Sequence, residues 1–254
     1  MRALVSATCV AMLLLGAAVP AAAVHPALRC TAPNGMTRFK VALPNTAQAI
    51  RRGEALVIVA IGSSSTEGVG ASDQAHTYPV LLAEELRRRW PHLAVTVVNK
   101  GIGGETAEQM LARFPRDVLP YRPQLVIWQN GSNQALVSED VQGYEKTVRD
   151  GIARLKASHI DVVLMDPQYA PRVLERPRHK AIVDTIGRVA NDSKVAVFQR
   201  FAMMRYWVTS GKYRMEDIIS RDQLHMNDAS YHCIALLLAD SLADAALATV
   251  AQHK

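Results

Sequence analysis

The stretch Ala55–Gly68, ALVIVAIGSSSTEG, constrains the fold of this chain more than any other. An apolar, β-branched run from Leu56 to Ile61 stops at Gly62 and gives way to Ser63, Ser64, Ser65, Thr66, Glu67 and Gly68. Such a run, bounded by polar and glycine signals, predicts a strand buried on both faces, as in a parallel sheet. Gly62 and Gly68 let the backbone turn sharply at the strand's carboxyl end, the edge where open α/β sheets place their ligands. A serine there is either displayed for chemistry or part of a hydrogen-bonded turn leading into a helix, and the stretch alone leaves both readings open.

From Arg51 onward strand-like and helix-like patterns alternate. Strands are predicted at Ala55–Ile61, Ala94–Asn99, Gln124–Gln129, Asp161–Asp166 and Val195–Gln199. Helices are predicted at Tyr78–Trp90, Ala107–Val118, Val141–Ser158 and roughly Val173–Ala190, with a final apolar helix at Ala229–Ala251. This alternation implies right-handed βαβ crossovers and an α/β fold, a three-layer α/β/α sandwich around a central parallel sheet of about five strands. Every loop that follows a strand then lies on one rim, which gathers Ser63–Ser65, Lys100–Thr106, Asn130–Gln134 and Asp166–Ala170.

Residues 1–23 read as a signal peptide: Arg2 is a minimal positive region, Ala3–Val19 is almost wholly apolar, and Pro20-Ala21-Ala22-Ala23 offers a cleavage site before Val24. The alternative is an uncleaved anchor, against which the small residues at its end argue. The expected organisation is therefore a signal peptide (1–23), a lead-in arm (24–54) and one α/β domain (55–254), in a secreted or periplasmic protein without stable membrane insertion once cleaved. Cleavage would lower the basic residues from 29 to 28 against 23 acidic, leaving a net charge of +5 instead of +6. The densest basic clusters, Arg87-Arg88-Arg89 and Arg172–Lys180, sit beside apolar helical positions and read as solvated helix faces, so no nucleic-acid partner is expected. Cleavage also removes Cys9. Cys30 and Cys233 remain, either to pair in an oxidising compartment and pin the arm to the last helix, or to stand as unrelated thiols with Cys233 filling a core gap.

Beside the serine run, three features are candidates for chemistry. Asn99-Lys100-Gly101-Ile102-Gly103-Gly104-Glu105-Thr106 holds three glycines in four residues before a helix, a pattern that exposes backbone N–H groups to an anion or serves close packing. Asn130-Gly131-Ser132-Asn133-Gln134 can aim a side-chain amide into the cleft, or be a run of turn formers. Asp222-Gln223-Leu224-His225 sets a carboxylate three residues from an imidazole, close enough to accept the Nδ1 proton and leave Nε2 free to take one from a serine. A second such segment, Asp73-Gln74-Ala75-His76, reads as ordinary polar loop at a helix start. Neither GxGxxG after the first strand, nor GxxxxGK[ST], nor HExxH occurs, and no metal or cofactor is expected.

In this combination and order the chain resembles the SGNH or GDSL-type serine hydrolases, a family of esterases and lipases. The family's opening block, Gly-Asp-Ser-Leu-Thr-x-Gly, lies over Gly62–Gly68 and puts the nucleophile at Ser64. Its Asn-x-Gly-x-x-Gly block is matched by Asn99, Gly101 and Gly104, its Gly-x-Asn-Asp block by Gly131-Ser132-Asn133, and its Asp-x-x-His block by Asp222 and His225. The resemblance runs from about Leu56 into the last helix. It implies a flavodoxin-like fold, a Ser64–His225–Asp222 triad, an oxyanion hole of the Ser64 and Gly104 N–H groups with the Asn133 amide, and carboxylic esters of lipids, glycans or small molecules as substrates. Ser63 and Gln134 stand where the family has Asp, and Met226 where Pro often follows the histidine. Tyr78, Tyr169 and Arg172 flank the cleft in sequence, each also readable as a packed ring or a solvated charge. Two other classes stay open: a noncatalytic relative that binds acylated glycan or lipid, and a phosphate- or nucleotide-binding domain that uses the Gly101–Gly104 turn.

Overall fold

The computed structural model describes residues 30–137 and 140–251, with side chains through residue 247; segment 1–23, read from the sequence as a signal peptide, lies outside the described residues. Five parallel strands, β1 (Leu56–Gly62), β2 (Val95–Gly101), β3 (Leu125–Gln129), β4 (Asp161–Met165) and β5 (Ala196–Phe198), form one sheet in the order β2-β1-β3-β4-β5. The alternation of β1 shows why the sheet must be covered twice. Leu56, Ile58 and Ala60 pack on one face with Tyr78, Leu82 and Leu86, while Val59 and Ile61 pack on the other with Phe114, Trp128, Tyr144 and Ile186. The final helix, Asp228–Ala251, belongs to the first layer through Tyr231, Ile234 and Leu238. It is long and apolar enough to cross a membrane, yet 67% of that stretch is buried against the rest of the chain.

Each predicted strand is present within two residues at either end, and the predicted helices Tyr78–Trp90 and Val141–Ser158 appear as Tyr78–Arg89 and Val141–Ala157. Two others are split. The stretch read as Ala107–Val118 breaks at Arg113 into Ala107–Ala112 and Phe114–Asp117, because Pro115 lacks an N–H and its ring would collide with the preceding turn. The stretch read as Val173–Ala190 divides around Pro177 into Pro171–Leu174 and His179–Ser193 for the same reason.

The arm is tied into the fold. A helix at Pro44–Arg52 buries Ala47 and Ala49 and, through the Asn45 amide and the Thr46 N–H and hydroxyl, satisfies Asp161 at the start of β4. Cys30 and Cys233 form a disulfide with Cα atoms 4.9 Å apart, which fixes the arm to the final helix.

The chain moves outward to β2 and then back across β1 to β3, so the order reverses between β1 and β3. At such a switch point the loops after adjacent strands diverge and leave a crevice at the carboxyl edge. Beyond it, at the end of β4, Asp166 accepts the Phe201 N–H at 2.8 Å. Burial pushes this carboxyl up to about 7, against the opposing pull of that N–H and of Arg200. With the folded value above the unfolded one, about 3.9, the protonated group contributes stability that is complete below that value and lost as pH rises through the folded one. Denaturant titrations are expected to show the protein roughly 2–3 kcal/mol less stable at pH 8 than at pH 5 on this account, and Asp166→Asn to remove most of the difference. An unchanged pH slope in that variant would reject the assignment.

Candidate active site

Ser64 stands one residue beyond β1 and opens a one-turn helix, Ser64–Glu67. The preceding Ser63 is buried, with its N–H and hydroxyl both donating to Gln129 Oε1 of β3, at 2.9 and 3.2 Å. The residue that replaces the family's Asp thus anchors the turn to the neighbouring strand. The helix can sit against β2 because position 101 is glycine: a Cβ there would lie 1.9 Å from the Glu67 nitrogen. The run starts a helix, as the turn reading expected, and leaves Ser64 partly exposed.

The Ser64 hydroxyl lies 2.8 Å from His225 Nε2, and His225 Nδ1 lies 2.5 Å from Asp222 Oδ2. The turn holding these two residues is built by the same carboxylate. Asp222 Oδ1 accepts the Leu224 and His225 N–H groups and the Ser220 hydroxyl, while Gln223 takes a left-handed backbone with φ 61°. An antiparallel bridge between Ile219 and Met226 closes the turn, and Met226, where the family often has Pro, is wholly buried. Gly70 lets the loop after the serine pass close by, for a Cβ there would meet the Met226 carbonyl at 2.3 Å and His225 Cβ at 2.9 Å. Partial burial works against the Asp222 charge, but the His225 ring, the His225 and Leu224 N–H groups and Ser220 outweigh it and hold the carboxyl well below its ordinary range. An ionised Asp222 therefore orients the ring with its protonated nitrogen inward and Nε2 toward Ser64.

The other Asp-x-x-His segment is built differently. His76 Nδ1 meets Asp73 at 2.9 Å and the Ser72 hydroxyl at 3.1 Å, both side chains are about half exposed, and the ring makes no hydrogen bond to Ser64. Asp73 caps a short helical turn, Gln74–His76, where the sequence reads as polar loop ahead of a helix start.

In the loop after β2, Gly104 adopts φ 79°, a conformation that suits glycine. Among the described residues neither the Ser64 N–H nor the Gly104 N–H has a hydrogen-bond partner. The Asn133 amide donates one hydrogen to the Glu105 carbonyl at 2.8 Å, which fixes its orientation and leaves the second hydrogen for a ligand. Gln134, the other departure from the family pattern, supports the backbone: it accepts the Ala107 N–H at 3.1 Å and donates to Glu108 at 2.7 Å, satisfying the start of the Ala107–Ala112 helix.

Sequence reading passed over Arg113. Its guanidinium is 6% exposed and bonds Glu105 at 2.7 Å, Asp117 at 3.1 Å, and the carbonyls of Gly62 and Lys100 at 3.2 and 2.8 Å, so it clamps the ends of β1 and β2 to the glycine loop. The available signal was an arginine inside the otherwise apolar stretch MLARF. Of the flanking residues, Tyr78 is a packed ring: it is fully buried, hydrogen-bonded to the Thr66 hydroxyl at 3.1 Å, and its phenol is pushed up to about 12 by burial. Tyr169 packs edge-to-face on Phe201 and lines a cavity of about 760 Å³ with Leu174 and His179, while Arg172 is exposed.

The model of the non-GDSL lipase-like family matches residues 29–248, starting ahead of Leu56, where the motif resemblance begins. The chain is 29% identical over 139 residues to an acetylxylan esterase of Geobacillus stearothermophilus, a match covering 50% of this chain and 63% of that protein. It is 30% identical over 115 residues to thioesterase 1/protease 1/lysophospholipase L1 of Escherichia coli strain K12, covering 45% of this chain and 52% of that protein. The chain thus spans less than two thirds of the length of these curated relatives. Solved structures share its fold. A two-domain esterase active on acetylated mannans superposes with a TM-score of 0.71 at 22% identity, over 83% of this chain and 56% of that one. TesA superposes with a TM-score of 0.62 at 22% identity, over 73% of this chain and 97% of that one. The family's name fits an opening block that reads Gly62-Ser63-Ser64-Ser65 in place of Gly-Asp-Ser-Leu. With a match running from the residue before Cys30 into the final helix, on a five-stranded parallel sheet shared with SGNH-type hydrolases, the chain belongs to the non-GDSL lipase-like family.

Proposed function

We propose that the protein is an exported serine esterase that hydrolyses carboxylic esters through an acyl-enzyme. The observation that carries this reading is the continuous hydrogen-bonded chain from Ser64 Oγ through His225 to Asp222; the Ser64 and Gly104 N–H groups, without partners among the described residues, and the second hydrogen of the Asn133 amide support it as candidate oxyanion donors. His225 Nε2 takes the Ser64 proton as Oγ attacks the ester carbonyl carbon, and Asp222 stabilises the imidazolium. The tetrahedral oxyanion is held by the Ser64 and Gly104 N–H groups and by the free hydrogen of Asn133. His225 then protonates the leaving alcohol, and in the second half-reaction it activates the water that releases the acid.

Acetylxylan and acetylated mannan appear in the names of similar proteins, as do thioester and lysophospholipid activities. A panel of p-nitrophenyl esters from acetyl to palmitoyl, run beside acetylated xylan and mannan, tests the substrate class. Stoichiometric labelling of Ser64 by a fluorophosphonate tests the chemistry. A protein that hydrolyses none of these esters and takes no label would be a binding protein on an esterase fold. Asn133→Ala is expected to lower kcat by on the order of 10²–10³. A loss below about threefold would return Asn133 to a turn-forming role.

Export rests on residues 1–23 and on the Cys30–Cys233 pair, which suits an oxidising compartment. N-terminal sequencing of the exported protein is expected to begin at or near Val24, ahead of the 24–54 arm and the domain from residue 55. Retention of Met1 would overturn this.

A further inference from the structure

The segments that carry the site converge on one residue that the motifs do not include. Gln168, in the loop after β4, is 1% exposed. Its Oε1 accepts from Ser132 Oγ at 2.8 Å, Arg200 Nη2 at 3.1 Å and Ser65 Oγ at 3.4 Å, and its Nε2 donates to the Leu224 carbonyl at 3.0 Å. Three of these partners are chain neighbours of the site residues: Ser65 follows Ser64, Ser132 precedes Asn133 and Leu224 precedes His225. We propose that Gln168 is a positioning residue, which holds the His225 turn in register with the nucleophile and the oxyanion amide; this rests on the serine-esterase reading of the same site.

The need for such a residue follows from the topology. Ser64 and Asn133 stand just after β1 and β3, adjacent strands whose ladder fixes their relative position. The Asp222–His225 turn belongs to no strand of the sheet and is closed mainly upon itself. From the loop after β4 and the helix that follows, two bonds reach it: Gln168 Nε2 to the Leu224 carbonyl, and the Arg172 N–H to the Gln223 carbonyl at 3.1 Å. The first lies one residue from the imidazole and is buried, so water offers it no substitute. The orientation of the Gln168 amide is also settled by chemistry. Arg200 can only donate and the Leu224 carbonyl can only accept, so the amide oxygen must face the arginine and the NH₂ the turn. Arg200 is itself wholly buried, with Nε donating to the Asp166 carbonyl at 2.9 Å, and gives the amide a fixed support.

Two variants of the mature protein separate positioning from plain structural support. Gln168→Leu removes all four bonds. Gln168→Glu keeps an acceptor for Ser132, Ser65 and Arg200 but, ionised beside Arg200, presents an acceptor to the Leu224 carbonyl. Since misplacing a catalytic group by about 1 Å can cost on the order of 10²-fold, both variants are expected to lose roughly that factor in kcat on p-nitrophenyl acetate, with KM little changed. Fluorophosphonate labelling should slow in the same proportion, and the His225 Nδ1–H proton resonance, read without substrate, should shift or broaden in both. Gln168→Glu should regain the thermal midpoint that Gln168→Leu loses. The proposal is overturned if Gln168→Leu keeps kcat within about threefold of the parent, or if Gln168→Glu regains kcat together with the midpoint. The esterase reading fails separately, if the parent protein neither hydrolyses esters nor takes label, and the His225 resonance then decides the role of Gln168 alone.

Discussion

Replacing His225 by alanine is expected to lower kcat on a p-nitrophenyl ester by on the order of 10⁴ or more while the thermal midpoint moves little. The ring bridges Ser64 and Asp222, and its loss leaves the nucleophile with no acceptor for its proton. Ser64→Ala should cost about the same, and the double variant hardly more, because residues that act as one unit lose their effect together. Asp222→Ala should fall short of these losses in kcat, but it also removes the acceptor that shapes the 222–225 turn. His76→Ala is the control. Its ring is held by Asp73 and Ser72 in an exposed turn, so most of the activity should remain. A dead His76→Ala beside a near-normal kcat/KM in His225→Ala would remove the base assigned to His225 and most of the case for acyl transfer at Ser64.

The second large effect concerns stability. The Cys30–Cys233 disulfide closes a loop with a sequence separation of 203 residues. Constraining the unfolded chain over that distance is worth about 5 kcal/mol in the chain-entropy picture, and native bridges deliver typically 2–5 kcal/mol. The double variant Cys30→Ser, Cys233→Ser is therefore expected to unfold roughly 5–15 °C lower, at about 2–4 °C per kcal/mol for a chain of this size. Mild reduction of the parent protein should reproduce the shift, whereas Cys30→Ser alone separates loss of the bridge from the polar hydroxyl placed at the buried Cys233 position. Esterase activity below the new midpoint should stay near the parent value, because the bridge joins the arm to the final helix and touches none of the site residues. An unchanged midpoint would mean that the Pro44–Arg52 helix and its bonds to Asp161 hold the arm unaided.

Much of the candidate site was legible in order along the chain. The run Leu56–Ile61 needed no tertiary information to be a buried strand, since only a sheet covered on both faces shelters consecutive apolar residues. Once strands and helices alternate, the rim follows, and with it the company of Ser64, Gly104 and Asn133. Both Asp-x-x-His segments stand just ahead of a helix, Tyr78–Arg89 and Asp228–Ala251, so the helix behind each does not separate them, and the hydrogen bond from His225 Nε2 to Ser64 is a tertiary contact.

The rest depended on contacts that no local pattern carries. Pro115 and Pro177 were present in the sequence, but the apolar periodicity ran through them and hid the breaks in both helices. Whether Cys30 meets Cys233 is a matter of Cα separation, which is set only when the final helix packs against the arm. Arg113 and Gln168 resemble surface residues in sequence, because a buried polar side chain is distinguished by its partners and not by its type. Those partners lie far off: Gln168 binds Ser65 and Leu224 across 103 and 56 positions, and Arg113 reaches the Gly62 carbonyl across 51. The sequence by itself determined which loops follow the strands and so share one edge of the sheet, because strand burial, glycine turns and helix punctuation act over a few residues. Only the tertiary structure decided how the site residues are held in register, because that rests on hydrogen bonds whose two ends approach one another only after the sheet has assembled.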